Sequence, residues 1–186
     1  DYRGDDTVAT YSSRGPTRGY RTLANGARKY DNLIKPDLVA PGNKIIGARS
    51  YYNGTENYLA RTYTSLRTGA ATGSEQKIMY MSGTSMAAPI VAAAASLLLQ
   101  TNQNLTPNLV KAILMYSAQP LQNANTLEQG AGLLNIDGAV RIARLIKPTM
   151  PTTNGSALLN ASLPTSQTSN FGGYTAHWGK GVITNY

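Results

Sequence analysis

The sequence predicts a domain that mixes strands with helices, and three observations carry that prediction. Apolar residues fill 41% of the 186 positions and charged residues only 14%, a balance that sustains a packed core. Short apolar runs bounded by Gly and Pro read as strands at Val8–Tyr11, Asp37–Ala40, Lys44–Ala48 and Ile78–Met81. Longer segments with helical start and stop signals interrupt and follow them. A single chain of this length buries about 70% of its unfolded surface, enough for one core.

Each element has a local reason. Val8–Tyr11 runs into Ser12-Ser13-Arg14-Gly15-Pro16, a turn by composition, and Pro41-Gly42 stops Asp37–Ala40. Residues 49–76 are polar and Tyr-rich without a sustained period, so they read as a long loop. Residues 86–100 are apolar nearly all round, which predicts a helix buried on most faces. Alanines 92 to 95 suit close backbone approach there. Thr106-Pro107 is an N-cap followed by proline at the first helical position, opening a helix to about Ala118. A third helix is expected over 136–146, ended by Lys147-Pro148. Composition then shifts. Residues 1–147 read as the folded domain, and 148–186 as a Pro/Thr/Ser/Asn-rich linker that ends in an aromatic and Gly-containing tail with room for an added strand.

Several chemistries are excluded. There is no cysteine, hence no disulfide scaffold, thiol nucleophile or Cys-built zinc site. One histidine, His177, cannot build a His-rich metal site. The longest apolar stretch, Met86 to Leu99, falls short of the roughly 18 residues of a membrane span and contains Ser96, so no span is expected. The start of the chain has no signal-peptide pattern. The net charge of +8 raises nucleic acid as a partner, but the basic residues are scattered and carry no basic-aromatic module. Nucleic-acid binding is not expected.

The order strand, Ser82-Gly83-Thr84-Ser85, helix places a serine at a helix N-terminus. Free N–H groups and the positive end of the helix dipole favour developing negative charge there. A nucleophilic serine needs that setting, because the acyl-transfer intermediate carries an oxyanion beside the nucleophile's own N–H. Gly83 admits close approach of substrate backbone. Taken by itself, the pattern reads as an ordinary capping serine or threonine on a core helix rather than a nucleophile.

It has company. Gly83-Thr84-Ser85-Met86-Ala87-Ala88-Pro89, with Ile90-Val91-Ala92 after it, resembles the serine motif of the subtilases, the subtilisin-like serine peptidases. Tyr11-Ser12-Ser13-Arg14-Gly15-Pro16 resembles the family's aromatic-Ser-Ser-x-Gly-Pro turn. Lys35-Pro36-Asp37-Leu38-Val39-Ala40-Pro41-Gly42 is similar to its Lys-Pro-Asp segment. Leu105 to Leu114 is similar to the helix after the nucleophile, and Gly130-Ala131-Gly132-Leu133-Leu134-Asn135 to a Gly-x-Gly-hydrophobic-x-Asn segment. The resemblance covers about residues 7 to 146 in the family's order. It implies an α/β subtilisin-like fold, a mostly parallel sheet flanked by helices, of which this chain holds the C-terminal portion. It also implies peptide-bond hydrolysis through an acyl-enzyme on Ser85. The Ser85 N–H would be one oxyanion donor supported by Thr84, with Ser82 and Gly83 placed to pair substrate backbone. Tyr11–Pro16 and Asp37–Gly42 would position the serine loop.

The chain departs from the complete family pattern. In the family the order is Asp, His, Ser, with the oxyanion Asn also ahead of the Ser. No histidine precedes Ser85, and no Gly-His-Gly-Thr-like or Ala-Gly-Asn-like segment is present. His177 lies on the wrong side of Ser85 in chain order and reads as a solvated or tail-packing residue. The expectation is a serine endopeptidase whose His, Asp and oxyanion Asn come from a second chain of the same precursor. The alternative is a non-catalytic subtilase-like scaffold that binds peptides or proteins. Secretion and a bacterial source are expected from the family and the surface composition. Calcium is admitted by the resemblance alone, since the acidic residues are few and unclustered and no metal ligand is identified.

Overall fold

The computed structural model describes residues 3–68 and 77–184. In chain order the elements are β1 (Tyr20–Thr22), β2 (Arg28–Tyr30), β3 (Ile45–Ala48), β4 (Tyr51–Tyr52), β5 (Thr55–Glu56), α1 (Tyr58–Thr62), β6 (Ile78–Met81), α2 (Thr84–Thr101), α3 (Pro107–Ser117), α4 (Thr126–Gln129), α5 (Ile136–Ala143), β7 (Thr168–Phe171) and β8 (Tyr174–His177). The chain divides into two units, one of Asp1–Ala40 with Ile90–Tyr186 and one of Pro41–Pro89.

The larger unit is built on helix packing. Leu98, Ile113, Leu114, Leu134, Ile142 and Trp178 share its buried core. Thr106 caps α3 by accepting from the Leu109 N–H at 3.3 Å, with Pro107 at the first helical position, as its sequence predicts. Parallel pairing among the described residues is the bridge between Val39 and Leu133, where the Val39 N–H donates to Gly132 O and the Leu134 N–H to Val39 O. The connection between these two residues runs through α2 and α3, the helical crossover that parallel strands require. The other strand pairs are antiparallel.

The segments singled out in the sequence meet here. The Gly15 N–H donates to Leu127 O, and a Cβ on Gly15 would collide with Lys35 O, so the Ser-Ser-Arg-Gly-Pro turn lies directly on the Lys-Pro-Asp segment. Arg14 pairs with Glu128 at 2.7 Å, and Glu128 completes a capping box with Asn125 on α4. Asn135 accepts from the Gly138 N–H to cap α5.

Asp37 is held by Lys35 at 2.5 Å and Lys111 at 2.9 Å. Partial burial pushes its carboxyl up, but the two ammonium groups outweigh that and hold it below the usual aspartate value. A carboxylate with a lowered folded value stabilises above its unfolded value, about 3.9, and loses that contribution as pH falls through the folded value. Asp37→Asn is therefore expected to lower the urea midpoint at pH 7 and to make little difference in strong acid. Midpoints of both proteins at the two pH values check this.

Several expectations are revised. Asp37–Ala40 forms no strand, only the single bridge of Val39 to Leu133. Val8–Tyr11 forms no strand; it ends in a turn closed by the Ser12 N–H on Ala9 O at 2.9 Å. α2 begins at Thr84, and only Ala94 and Leu98 are fully buried along it. Alanines 88, 92 and 93 and Leu99 are exposed, so the helix is not buried on most of its faces. At 18 residues without a charge, α2 does reach membrane-span length and composition, although Ala94 and Leu98 lie in the protein core.

Residues 49–68 hold regular structure within the expected loop. Asn53 and Gly54 both take positive φ, 45° and 76°, which turns β4 into β5 as a tight hairpin. Glu56 is paired with Arg49 at 2.9 Å and with Arg67. Residues 69–76 of that loop lie outside the described residues.

The polar tail is packed. β7 and β8 pair through the Gly172-Gly173 turn, and Trp178 is 3% exposed against Gly138, where a Cβ would lie 2.8 Å from the indole. The Ser169 hydroxyl accepts from Asn135 Nδ2 (3.0 Å) and Trp178 Nε1 (3.1 Å) and donates to Asp137 (2.5 Å). Composition puts a boundary at 147/148, whereas the structure assigns both sides of it to one unit. Trp178 lies in the core, and Met150, Leu158, Leu159 and Leu163 pack against it, beside this polar cluster. Tyr186 of the tail is outside the described residues.

Candidate active site around Ser85

The serine loop is set by the smaller unit. β3 and β6 pair antiparallel with Ile45 opposite Met81, so the next residues out, Lys44 and Ser82, face each other as the ladder ends. The Lys44 N–H donates to Ser82 Oγ at 2.9 Å, and that hydroxyl donates to Asn43 Oδ1 at 3.0 Å. The Gly83 N–H donates to Gly42 O at 2.8 Å, and Gly83 O accepts from the Met86 N–H at 3.0 Å. A Cβ on Gly42 would lie 2.8 Å from Gly83 O and 3.2 Å from Ala87 Cβ. Glycine is needed at 42 so that the Pro-Gly turn can press on the loop.

Gly83 has φ +152°, and a Cβ there would meet Met86 Sδ at an ordinary 3.5 Å, so its backbone rather than its surroundings selects glycine. α2 starts at the next residue. Ser85 is its second residue and is exposed, as are Ser82 and Thr84. The first N–H groups of a helix have no acceptor four residues back, and the dipole is positive at this end. This end of the helix favours negative charge close to the turn.

The structure thus brings Ser82, Gly83, Thr84 and Ser85 together on one rigid strand-to-helix turn. It also shows what the motif did not reveal. The Ser82 side chain is taken up by Asn43 and Lys44, and Gly83 has its N–H and one carbonyl lone pair engaged within the loop. One lone pair of the Gly83 carbonyl is left beyond these bonds. Asn43 and Lys44 carried one signal, their place directly after Pro41-Gly42. Pro89 sits in the first turns of α2.

His177 belongs to the larger unit, exposed on β8, whereas Ser85 belongs to the smaller one. Among the described residues no group of three or more His, Cys, Asp or Glu stands close enough to hold a metal.

Similarity to known proteins agrees with the motifs. Serine protease AprX of Bacillus subtilis (strain 168) is 38% identical over 136 residues, 73% of this chain and 26% of AprX. Subtilisin-like protease SBT1.9 of Arabidopsis thaliana is 34% identical over 125 residues, 67% of this chain and 14% of that protein. Among solved structures, fervidolysin from Fervidobacterium pennivorans, a keratinolytic enzyme related to subtilisin, aligns with a TM-score of 0.48 at 23% identity over 66% of this chain and 18% of its own. This chain therefore spans about a quarter or less of each of these three proteins. Its residues 2–139 match the subtilase family model, nearly three quarters of its length, and with its α/β architecture the chain belongs to the subtilase family.

Proposed function

We propose that this chain is the nucleophile-bearing part of a secreted serine endopeptidase. Ser85 attacks the scissile carbonyl, and its own N–H, with support from Thr84, stabilises the oxyanion. Ser82 and Gly83 shape the strand that lies along the acyl side of a protein or peptide substrate. A serine hydroxyl needs a positioned base to become a nucleophile. The triad His and Asp and the oxyanion Asn are assigned to a further segment, a second chain of the same precursor.

The observation that carries this reading is the exposed Ser85 on the clamped turn that opens α2. Two features support the further segment. No histidine precedes Ser85. The uncovered side of α2 presents small apolar residues, Ala88, Ala92 and Ala93, suited to a close-packed neighbour. Co-expression with a subtilase segment that bears the Asp and His tests the reading. Hydrolysis of a peptide substrate is expected from the pair and not from this chain by itself. Equal hydrolysis by the chain without that segment would overturn the assignment of the base.

A further inference from the structure

The segment between Pro16 and Pro36 forms a ribbon that the Ser85 site does not use. Beyond β1 and β2 the pairing continues at both ends. The Asp31 N–H donates to Gly19 O, the Thr17 N–H to Leu33 O and the Leu23 N–H to Ala27 O, each at 2.9 Å. Ala24-Asn25-Gly26 closes the tip, with Gly26 at φ +79° and the Ala27 N–H on Asn25 Oδ1 at 3.0 Å. The ribbon thus runs over residues 17–33 and is about 20 Å long. Every residue from 18 to 32 is exposed, so the larger unit covers neither face.

Arg18, Arg21, Arg28 and Lys29 lie on this ribbon against one acid, Asp31, whose carboxylate accepts from the Thr17 hydroxyl at 2.8 Å. None of the four cations makes an ion pair among the described residues. The register divides them between the faces. Arg21 stands opposite Lys29, and side chains alternate along a strand, so this pair lies on one face and Arg28, with Tyr20 and Tyr30, on the other. The Tyr20 and Tyr30 rings are 5.6 Å apart, and the Arg28 guanidinium lies 4.3 Å from the centre of the Tyr20 ring, which steadies that cation. Arg18 stands two residues before Tyr20, toward the base of the ribbon.

A flat anionic surface or an extended acidic peptide touches one face of such a ribbon and leaves the cations of the other in water. A groove with anionic groups on both walls meets both faces. The major groove of duplex DNA is bordered by phosphates on each side, is about 12 Å wide and admits a two-stranded β-ribbon. The deep, narrow major groove of duplex RNA does not. We propose that the 17–33 ribbon enters the major groove of duplex DNA, with Arg21 and Lys29 toward the phosphates of one wall and Arg18 and Arg28 toward those of the other. Contacts to phosphates carry no sequence information, so binding is expected on any duplex sequence. Charge dispersed along the sequence predicts no such partner; the pairing of the two strands supplies one. The inference is independent of Ser85 and of the function proposed for it.

The test follows the fluorescence anisotropy of a labelled mixed-sequence DNA duplex as the 186-residue chain is added at several salt concentrations. Four phosphate contacts predict a slope of log K against log salt of about −3 to −4, roughly a hundredfold loss between about 50 and 200 mM. An RNA duplex of the same sequence is expected to bind at least about tenfold more weakly, and polyglutamate at matched charge is expected not to displace the DNA. Arg21→Gln with Lys29→Gln, and Arg18→Gln with Arg28→Gln, are each expected to make the slope shallower by about 2. Arg61→Gln with Arg144→Gln, exposed cations outside the ribbon, is expected to leave it unchanged. A loss confined to one face of the ribbon overturns insertion into a groove, and an equal loss from the Arg61 and Arg144 pair overturns the assignment to the ribbon. Equal binding of DNA and RNA, displacement by polyglutamate, or no binding up to about 100 μM chain at about 50 mM salt also overturns the proposal. These last three outcomes are read on the unmodified chain and do not depend on how the variants fold.

Discussion

Ser85→Ala is expected to lower kcat of the assembled enzyme on the order of a millionfold, the figure for removal of the nucleophile in subtilisin. The size follows from the chemistry: without the hydroxyl no acyl-enzyme forms, and only binding and oxyanion stabilisation of a water attack remain. The protein should be otherwise unaffected. Ser85 is exposed on the first turn of α2, where alanine is a good helix former, so stability is expected to stay within about 0.5 kcal/mol. Steady-state hydrolysis of a peptide, read beside a urea midpoint, separates the two effects. A variant that keeps its activity would place the nucleophile elsewhere.

The largest expected effect on stability is at Gly130. This residue ends α4 with φ +63° and ψ −127°, a conformation that L side chains rarely adopt. A Cβ there would also collide with the carbonyl oxygens of Pro36 and Asp37. Those atoms are backbone of the Lys-Pro-Asp segment, and the neighbouring Ala131 N–H donates to Asp37 O, so the segment cannot withdraw without breaking its own contacts. Gly130→Ala is expected to cost at least about 3 kcal/mol. Gly26, φ +79° with nothing within 4 Å, is the control, and its alanine variant is expected to cost about 1 kcal/mol. Trp178 fluorescence during urea unfolding reports the unit that contains both glycines. Equal small losses at the two sites would contradict the packing described here.

Much of the site could be read from the residues. The strand at Ile78–Met81, the turn from Ser82 to Ser85 and the helix behind it have strong local signals, and the structure places each of them there. Thr106-Pro107 fixed a helix start for the same reason. Where partners decide the outcome, local signals ran out. β7 and β8 are short and polar; the visible cue was Gly172-Gly173 between two short runs, and the burial of Ser169 and Trp178 depends on α5. Asn53-Gly54 was a comparable cue within the Tyr-rich segment. The exposure of α2 is of another kind. Its composition reports the burial it is suited to, while its accessibility reports only the neighbours that this chain supplies. The same distinction explains why the motif singled out the Ser82–Ser85 turn but not the use of the Ser82 hydroxyl by Asn43 and Lys44.

The measurement closest to the central claim is intact-mass spectrometry under denaturing conditions after treatment with a fluorophosphonate, with the Asp- and His-bearing segment present. Such a reagent labels a serine whose proton a base can take and whose oxyanion is stabilised. A single adduct on the 19.8 kDa chain, mapped to the peptide that contains Ser85, is the expected result. Peptide hydrolysis with no adduct on this chain, or an adduct on a residue other than Ser85, would contradict it.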